Sequence, residues 1–409
     1  MKRILYVLPL LLLSCRELKS QLPFKYDNNL YHAVFLNEAF RLMSTTKNFL
    51  LLDVRSPGEY ADTSRSTALN IGRFKGAVNI AIDSVPGRMN ELIKYKEEPV
   101  FVYCSHSQRS RRVSKLLSEN GFKKVYNING GMSQVNEMDR KDFPFKDKVH
   151  LTHTNYVNVG AADAVRLIQN NQGIAIIDIR TEAEFNSRDS LQQNNIGHVK
   201  NAINIPQADF PAKIDQYHIS NKQPVLLYDL YGDNSMDVVD ILRGKGFTRI
   251  YNLYGGLSSL ICDHRVSKEE RSRVLANTPA YAMLDPKAAI DIMRHRKNLV
   301  IIDTRPADEF DNKSSISWHN LGRLDRAVNI SNEEALKNFF KQHSKTAEIL
   351  VCPGMGDEFG PRACQWLANN GFTNVKFLKQ GMYRFVWATA NMEDCKEGRS
   401  LLVNHEGLY

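Results

Sequence analysis

The chain has 409 residues, enough for about two to four domains, and its 43% apolar and 24% charged residues are typical of a folded soluble protein. This composition excludes a disordered or collagen-like chain. The net charge is +9, but the basic residues are scattered and form no stripe interleaved with aromatic residues, which argues against a nucleic-acid partner.

The first residues, MKRILYVLPLLLLSC, have the pattern of a targeting segment. Lys2 and Arg3 precede an apolar run of about ten residues, which is too short to cross a bilayer as a helix. The run ends in Leu-Leu-Ser-Cys, which resembles the bacterial lipobox. The resemblance implies a lipoprotein signal peptide over residues 1–14 and lipid attachment at Cys15. The expected location is the cell envelope, anchored to a bacterial membrane on its periplasmic or outer surface; a signal anchor is the alternative.

Cysteines are too few to build a disulfide framework. Five remain after Cys15, and no CxxC spacing indicates zinc, so no metal site is expected. An odd number of cysteines in an oxidising compartment leaves at least one thiol free or paired between chains. Cys104 is the candidate for the free thiol.

Three copies of one sequence unit follow each other at a step of 125 residues. The runs LLLDVRSPGEY, AIIDIRTEAEF and VIIDTRPADEF start at Leu50, Ala175 and Val300. The same step relates the AVNI, AINI and AVNI segments and the glycines of NGGM, YGGL and KQGM. A unit of this length can bury its own core, so the pattern predicts tandem domains. The predicted domains cover residues 28–147, 153–266 and 280–405, with linkers near 146–154 and 267–279.

Each unit repeats one order of predicted elements. A helical pattern comes first, and an apolar run ending in Asp-x-Arg follows. Next come the AVNI-type strand, a second apolar run with a loop and a helix, and a short strand that runs into the glycines. Short continuous apolar runs are typical of strands buried on both faces of a parallel sheet. The prediction is an α/β fold in which each domain is a mostly parallel five-stranded sheet with helices on both faces.

The stretch VFVYCSHSQRSRRV in the first unit combines a strand, a loop and a helix start. Such a loop gathers backbone amides around one point, and these amides and the helix dipole stabilise an anion. Cys104 would be favoured there as the nucleophilic thiolate, with Arg109 closing the loop. The alternative is a small buried cysteine at a strand end. Arg111 and Arg112 are interpreted as helix-surface charges.

These motifs resemble the rhodanese family of sulfurtransferases. The matching pieces are DVR-x-x-x-E-Y, GRFKGAVNI, the CSHSQRS loop and NGGM, and the resemblance recurs three times from about residue 28 onwards. The family loop is C-x-x-G-x-R-[ST], so Ser107 stands where glycine is frequent. Related cysteine phosphatases have a loop one residue longer, which favours sulfur over phosphate as cargo. The resemblance implies Cys104 as the catalytic residue, and the implied substrate-binding residues are Ser105, His106, Ser107, Gln108, Arg109 and Ser110.

The other two loops have lost these residues. Asp229 and Asn234 replace the cysteine and the arginine in the second unit, and a carboxylate cannot carry a persulfide. It would instead face the amides as a built-in anion. In the third unit, the 125-residue step from Asp229 gives Gly354, and the alternative alignment uses Cys352, two residues earlier, before a longer, acidic loop. Cys352 is weighed as an altered nucleophile in a degenerate loop. Cys352 and Cys364 are interpreted either as two unpaired buried cysteines or as a pair that forms a disulfide under oxidising conditions.

The sequence therefore predicts a lipid-anchored sulfurtransferase with one competent domain and no cofactor. Cys104 would take sulfur from a small donor anion, with thiosulfate the family default, and pass it to a thiol or other thiophilic acceptor. The alternatives are a non-catalytic binding or scaffold protein, with an unknown protein partner, and a periplasmic thiol-redox role in which Cys104 reacts with a partner protein. Asp53, Arg55 and Glu59 recur in all three units, so they are predicted to be architectural: a strand-end cap and a salt bridge to the following helix.

Overall fold

The computed structural model describes residues 29–405. The predicted signal peptide and Cys15 lie outside the described residues and stay predictions. Within 29–405, no helix combines the length and the apolar character needed to cross a bilayer.

In the described part of the chain, the first two repeats supply the same succession of strands and α-helices, and the third differs in having a 3-10 helix, Glu393–Leu401, in place of the α-helix before the last strand. The first repeat contains β1 His32–Val34, α1 Leu36–Thr45, β2 Leu50–Asp53, α2 Pro57–Ala61, β3 Arg73–Phe74, β4 Val78–Asn79, α3 Met89–Leu92, β5 Pro99–Tyr103, α4 Gln108–Glu119, β6 Lys124–Ile128, α5 Gly131–Glu137, α6 Lys146–Val149 and β7 His150–Leu151. The second contains β8 Val157–Val159, α7 Ala161–Asn170, β9 Ala175–Asp178, α8 Glu182–Phe185, β10 His198–Val199, β11 Ile203–Asn204, α9 Phe210–Lys213, β12 Val225–Tyr228, α10 Val239–Gly244, β13 Ile250–Leu253, α11 Gly256–Cys262, α12 Lys268–Val274 and β14 Leu275–Ala276. The third contains β15 Ala282–Leu284, α13 Pro286–His295, β16 Val300–Asp303, α14 Ala307–Phe310, β17 Arg323–Leu324, β18 Val328–Asn329, α15 Glu333–Phe340, β19 Glu348–Cys352, α16 Phe359–Asn369, β20 Asn374–Leu378, α17 Gly381–Asn391 and β21 Leu402–Val403.

Five strands of each repeat form a parallel sheet. The strand order is β1-β6-β5-β2-β4 in the first repeat, and the other two repeats have the equivalent order. In β2, Leu51 packs into the cluster on one face, while Leu50 and Leu52 pack into the cluster on the other. Both faces of the strand are therefore buried, which explains its continuous apolar sequence. The predicted α/β fold with three parallel five-stranded sheets is confirmed.

The segments predicted as linkers are ordered instead. Residues 146–149 form α6 and lead into β7, which pairs antiparallel with β3 through Arg73 and Leu151. Residues 268–274 form α12, and the following β14 pairs with β10 in the same way. The sequence did not predict these elements for two reasons. The segments are highly charged, and strands of two residues are too short to show a hydrophobic period.

The Asp-x-Arg motif is a buried ion pair at the end of a central strand. In the second repeat, Arg180 donates to the carboxylate of Asp178 at 2.6 Å and to the carbonyl of Gly197 at 2.8 Å. Asn204 donates to the carbonyls of Asp178 and Arg180, which joins the next strand to the motif. The equivalent pairs are Asp53–Arg55 and Asp303–Arg305. The predicted strand-end cap is present in all three repeats. The described arginines bind the motif aspartate and a glycine carbonyl, so the predicted salt bridge to the following helix was wrong.

The three repeats are joined through the ends of α5, α11 and α17, the helices that follow the paired glycines or their counterpart. The end of α5 lies against Gly160, where a Cβ would come within 2.8 Å of the Glu137 carbonyl oxygen. At the next junction, the amide of Asp285 donates to the carbonyl of Cys262 at the end of α11. The end of α17 returns to the first repeat, where Asn391 Oδ1 accepts from the amide of Gly130 at 3.2 Å. The first and third repeats are therefore in direct contact.

Replacing Arg180 with Met should destabilise the protein strongly, because it leaves the buried Asp178 carboxylate without its counter-charge. The two side chains are 2% and 0% exposed, and breaking such a pair costs about 3–5 kcal/mol. Urea unfolding followed by circular dichroism measures the loss. The control is Arg88→Met, because the Arg88–Glu91 pair is 44% and 54% exposed and should matter little. Equal effects of the two substitutions would contradict this reading of the motif.

Candidate active site

Cys104 is the first residue after β5, at the start of the loop that leads into α4. Its carbonyl accepts from the Met132 amide at 3.1 Å. A Cβ on Gly131 would lie 2.1 Å from that same oxygen, so only glycine fits there. Cys104 is 1% exposed, so a donor must enter the loop to reach the sulfur.

Ser107 adopts the backbone conformation that the family's glycine would supply. Its φ is +78°, in the left-handed region that most residues avoid. The hydroxyl compensates by accepting from the Gly130 amide at 2.6 Å. The loop therefore turns as tightly as one with glycine, and Ser107 binds the glycine turn that supports Cys104.

Arg109 closes the loop by binding one carboxylate, of Glu59, and one hydroxyl, of Ser105. It forms paired hydrogen bonds to the carboxylate of Glu59 at 2.6 and 2.7 Å, and it donates to Ser105 Oγ at 2.9 Å. Burial raises the pKa of Glu59, but the hydrogen bonds from Arg109 and Ser56 outweigh it and lower the pKa to about 2. Glu59 thus serves the site as well as the helix cap, a role that the sequence interpretation missed.

Two further side chains of α4, those of Ser110 and Arg111, connect the loop helix to the end of β6 and to the residue after it. Ser110 is fully buried and donates to Asn127 Oδ1 at 2.6 Å. Arg111 is also buried, and it donates to Asn129 and, from the first repeat into the third, to Asn391 at 3.0 Å. The interpretation of Arg111 as a helix-surface charge was therefore wrong, whereas Arg112 is exposed as expected.

His106 and Gln108 are the exposed side chains of the loop. His106 Nε2 lies 2.7 Å from Ser133 Oγ, and its ring lies 6.4 Å from the Trp387 ring of the third repeat. Although part of the side chain meets solvent, burial and the charges of Arg384 and Arg109 lower the pKa of His106 to about 4. The ring is therefore neutral at pH 7.

The backbone amides of the first loop remain open to an anion. Within residues 29–405, the amides of His106, Ser107 and Arg109 donate to no protein acceptor. They surround the start of α4, where the helix dipole also favours negative charge. The hydroxyls of Ser105, Ser107 and Ser110 are bound to Arg109, Gly130 and Asn127, so the open amides are the backbone groups available to an anionic substrate.

The second loop carries its own anion. Asp229 stands in the place of Cys104, because its carbonyl accepts from Leu257 as that of Cys104 does from Met132. The Asp229 carboxylate accepts from the amides of Gly232 and Asn234, the latter at 2.7 Å. The predicted built-in anion is therefore present, and it occupies the counterparts of the open amides.

The third loop is filled in another way, and its register differs from both sequence alignments. Pro353, not Gly354 or Cys352, takes the position of Cys104, because the Pro353 carbonyl accepts from Met382. Cys352 pairs with Asp303 in the sheet, as Tyr103 pairs with Asp53. The carboxylate of Asp357 accepts from the amides that open α16, at 2.7 and 3.3 Å.

Cys352 is therefore a core residue rather than an altered nucleophile. It is fully buried, and burial raises the pKa of its thiol well above the usual value. Cys364 is buried as well, and neither cysteine is in a disulfide. The reading of these two residues as unpaired buried cysteines agrees with the structure.

One group of described residues has ligand atoms close enough for a metal ion: Asp263, His264 and Asp285. However, His264 Nδ1 lies 2.6 Å from Asp285, and its Nε2 lies 3.3 Å from Asp394. Burial opposes protonation, but the hydrogen bonds with these carboxylates raise the pKa of His264 to about 10. The ring is therefore charged at pH 7, and it joins the second and third repeats as an ion-paired cation.

The family described as Rhodanese-like domain matches residues 36–138, 161–261 and 285–387. The matches cover most of the chain, and the chain therefore belongs to this family. Each match falls on one of the three repeats, including the two whose loops are filled by carboxylates.

Similar proteins match single repeats. "Uncharacterized protein YqhL" of Bacillus subtilis is 34% identical over 84 residues, 20% of this chain and 58% of its own length. A tRNA uridine(34) hydroxylase of Cytophaga hutchinsonii is 32% identical over 111 residues, 26% of this chain and 33% of its own length. A sulfurtransferase of Allochromatium vinosum is 29% identical over 90 residues, 22% of this chain and 74% of its own length. The chain thus spans less than two thirds of the first two relatives.

Among solved structures, a thiosulfate sulfurtransferase from Pseudomonas aeruginosa is 14% identical to this chain. The match covers 85% of this chain and 66% of that one, with a TM-score of 0.22.

Replacing Glu59 with Gln should flatten the acid dependence of stability. The pKa of Glu59 is lowered from 4.5 to about 2 in the folded state. The carboxylate therefore stabilises the fold above its unfolded pKa, and this contribution is lost as the pH falls towards 2. The shift corresponds to roughly 3 kcal/mol at full loss. Urea unfolding of the wild type and Glu59→Gln is measured at about pH 7, 4.5 and 3. The difference between their free energies of unfolding should shrink as the pH falls.

The matched control is Glu184→Gln, because Glu184 caps its helix in the second repeat without an arginine partner in the loop. It should leave the acid dependence close to that of the wild type. Parallel curves for Glu59→Gln and the wild type would show that the Glu59–Arg109 pair contributes little.

Proposed function

We propose that the first repeat is a sulfurtransferase that carries sulfur as a persulfide on Cys104. The observation that carries this proposal is the open ring of amides at His106, Ser107 and Arg109. In the second repeat, the counterparts of the Ser107 and Arg109 amides bind Asp229, and in the third repeat two amides that open α16 bind Asp357. A negatively charged outer sulfur on Cys104 would supply the acceptor that those carboxylates supply elsewhere.

The reaction has two displacement steps. The Cys104 thiolate attacks the outer sulfur of a donor such as thiosulfate, forming a new S–S bond. The donor's own S–S bond breaks, and its electron pair leaves with sulfite. A thiolate acceptor then attacks the outer sulfur of the persulfide, and Cys104 departs as the thiolate. No net oxidation occurs, so no external oxidant or reductant is needed.

The relatives give partial support. The Allochromatium vinosum relative is named a sulfurtransferase, whereas others are named tRNA uridine(34) hydroxylases. The two carboxylate-filled loops favour the second candidate, a binding or scaffold protein, for the second and third repeats. A chain with one catalytic and two supporting repeats agrees with both observations.

Replacing Cys104 with Ala should abolish persulfide formation and sulfur transfer, because no other described cysteine lies at the start of a loop helix with open amides. Incubation of the purified protein with thiosulfate should add the mass of one sulfur atom to the peptide that contains Cys104. Cys262→Ala serves as the control and should keep the activity, because Cys262 lies at the end of α11. Absence of a persulfide with thiosulfate and organic donors alike would favour the scaffold function.

We also propose that the protein is lipid-anchored in the cell envelope through Cys15. The support is the sequence pattern alone. Cells expressing the tagged protein should incorporate labelled palmitate, and Cys15→Ser should abolish both the labelling and the membrane association. Labelling that persists in Cys15→Ser would refute the lipid site.

A further inference from the structure

The third repeat packs against the loop that holds Cys104. The ring of Trp387, on α17, lies 6.4 Å from the His106 ring on the first loop. The Arg384 guanidinium lies 4.2 Å from the centre of the Trp387 ring. Arg384 also donates to both carboxylate oxygens of Glu137, on α5, at 2.8 Å. Trp387 and Arg384 are here called the α17 wall.

The α17 wall is fixed to the same scaffold that holds the cysteine. Asn391, one turn beyond Trp387, accepts from the amide of Gly130 and from Arg111. The neighbouring Gly131 packs against the Cys104 carbonyl. The wall and the loop therefore keep a constant separation unless these hydrogen bonds break.

The wall offers shape rather than charge. The Arg384 charge is balanced by Glu137, and these side chains are 22% and 20% exposed. His106 is neutral at pH 7, since its pKa is lowered to about 4. Trp387 is half-buried and presents a rigid aromatic surface. Attraction for an anion must then come from the open amides, and the wall can act only by limiting which anions reach them.

We propose that Trp387 and Arg384 of the third repeat restrict the Cys104 site to small sulfane donors, excluding those with bulky organic groups. This inference rests on the proposed sulfur transfer. Cys104 is 1% exposed, and the Trp387 ring packs edge-on against His106, two residues further along the same loop, so the bulk of Trp387 lies beside the loop that a donor must enter. Trp387 is a specificity-determining residue in this account, and Arg384 positions its ring.

The test compares thiosulfate with p-toluenethiosulfonate, which carries the same reacting sulfur on a larger group. Trp387→Ala should raise the kcat/KM ratio of the large donor to the small donor by ~10-fold or more, because a pocket enlarged by several carbons admits a bulkier substrate. Trp387→Phe should change it less. The control is Trp366→Ala, which removes another half-buried tryptophan of the third repeat, from the apolar cluster shared with the second repeat.

A second readout does not depend on sulfur transfer. The rates of Cys104 alkylation by iodoacetamide and by fluorescein maleimide are measured by mass spectrometry for each variant. The maleimide rate should rise more than the iodoacetamide rate in Trp387→Ala, and less so in Trp387→Phe, which also serves if the alanine variant does not fold. Unchanged selectivity in both readouts overturns this inference. Wild-type protein that accepts sulfur from neither donor overturns the proposed function, and alkylation still decides the role of the wall.

Discussion

The backbone amides that open each loop helix carry partial positive charge and have no acceptor within the helix. This constraint is common to the three repeats, and each repeat meets it differently. Asp229 and Asp357 supply carboxylates in the second and third repeats. In the first repeat the amides stay open beside Cys104. The proposed chemistry depends on that difference, since a persulfide needs the place that the carboxylates fill.

The repeat pattern predicted much of the fold because its strands are short apolar runs in constant register. It aligned Cys104 with Asp229 correctly, because neither repeat has an insertion or deletion relative to the other up to this loop. It failed at the third loop, because the sequence alone cannot decide whether Cys352 or Gly354, two residues apart, corresponds to Cys104. The strand pairing is needed to align the loops. There the carbonyl contact with Met382 places Pro353 at the critical position.

Parts of the site could not be read from local sequence. Glu59 has counterparts in both other repeats and caps its helix as Glu184 does, so its bond to Arg109, 50 residues away, has no signal of its own. The contact of Arg111 with Asn391 joins residues 280 positions apart. A basic residue on a helix is usually a surface charge, and only the packing of the third repeat on the first makes Arg111 an internal connector.

The last helix of the third repeat is longer than its counterparts. It has 11 residues, whereas α5 and α11 have 7. Four more residues extend a helix by about 6 Å, and this extension carries Asn391 to Gly130. The third repeat is consequently not dispensable, because a shortened relative that ended after the second repeat would leave the glycine turn beneath Cys104 without its distant brace.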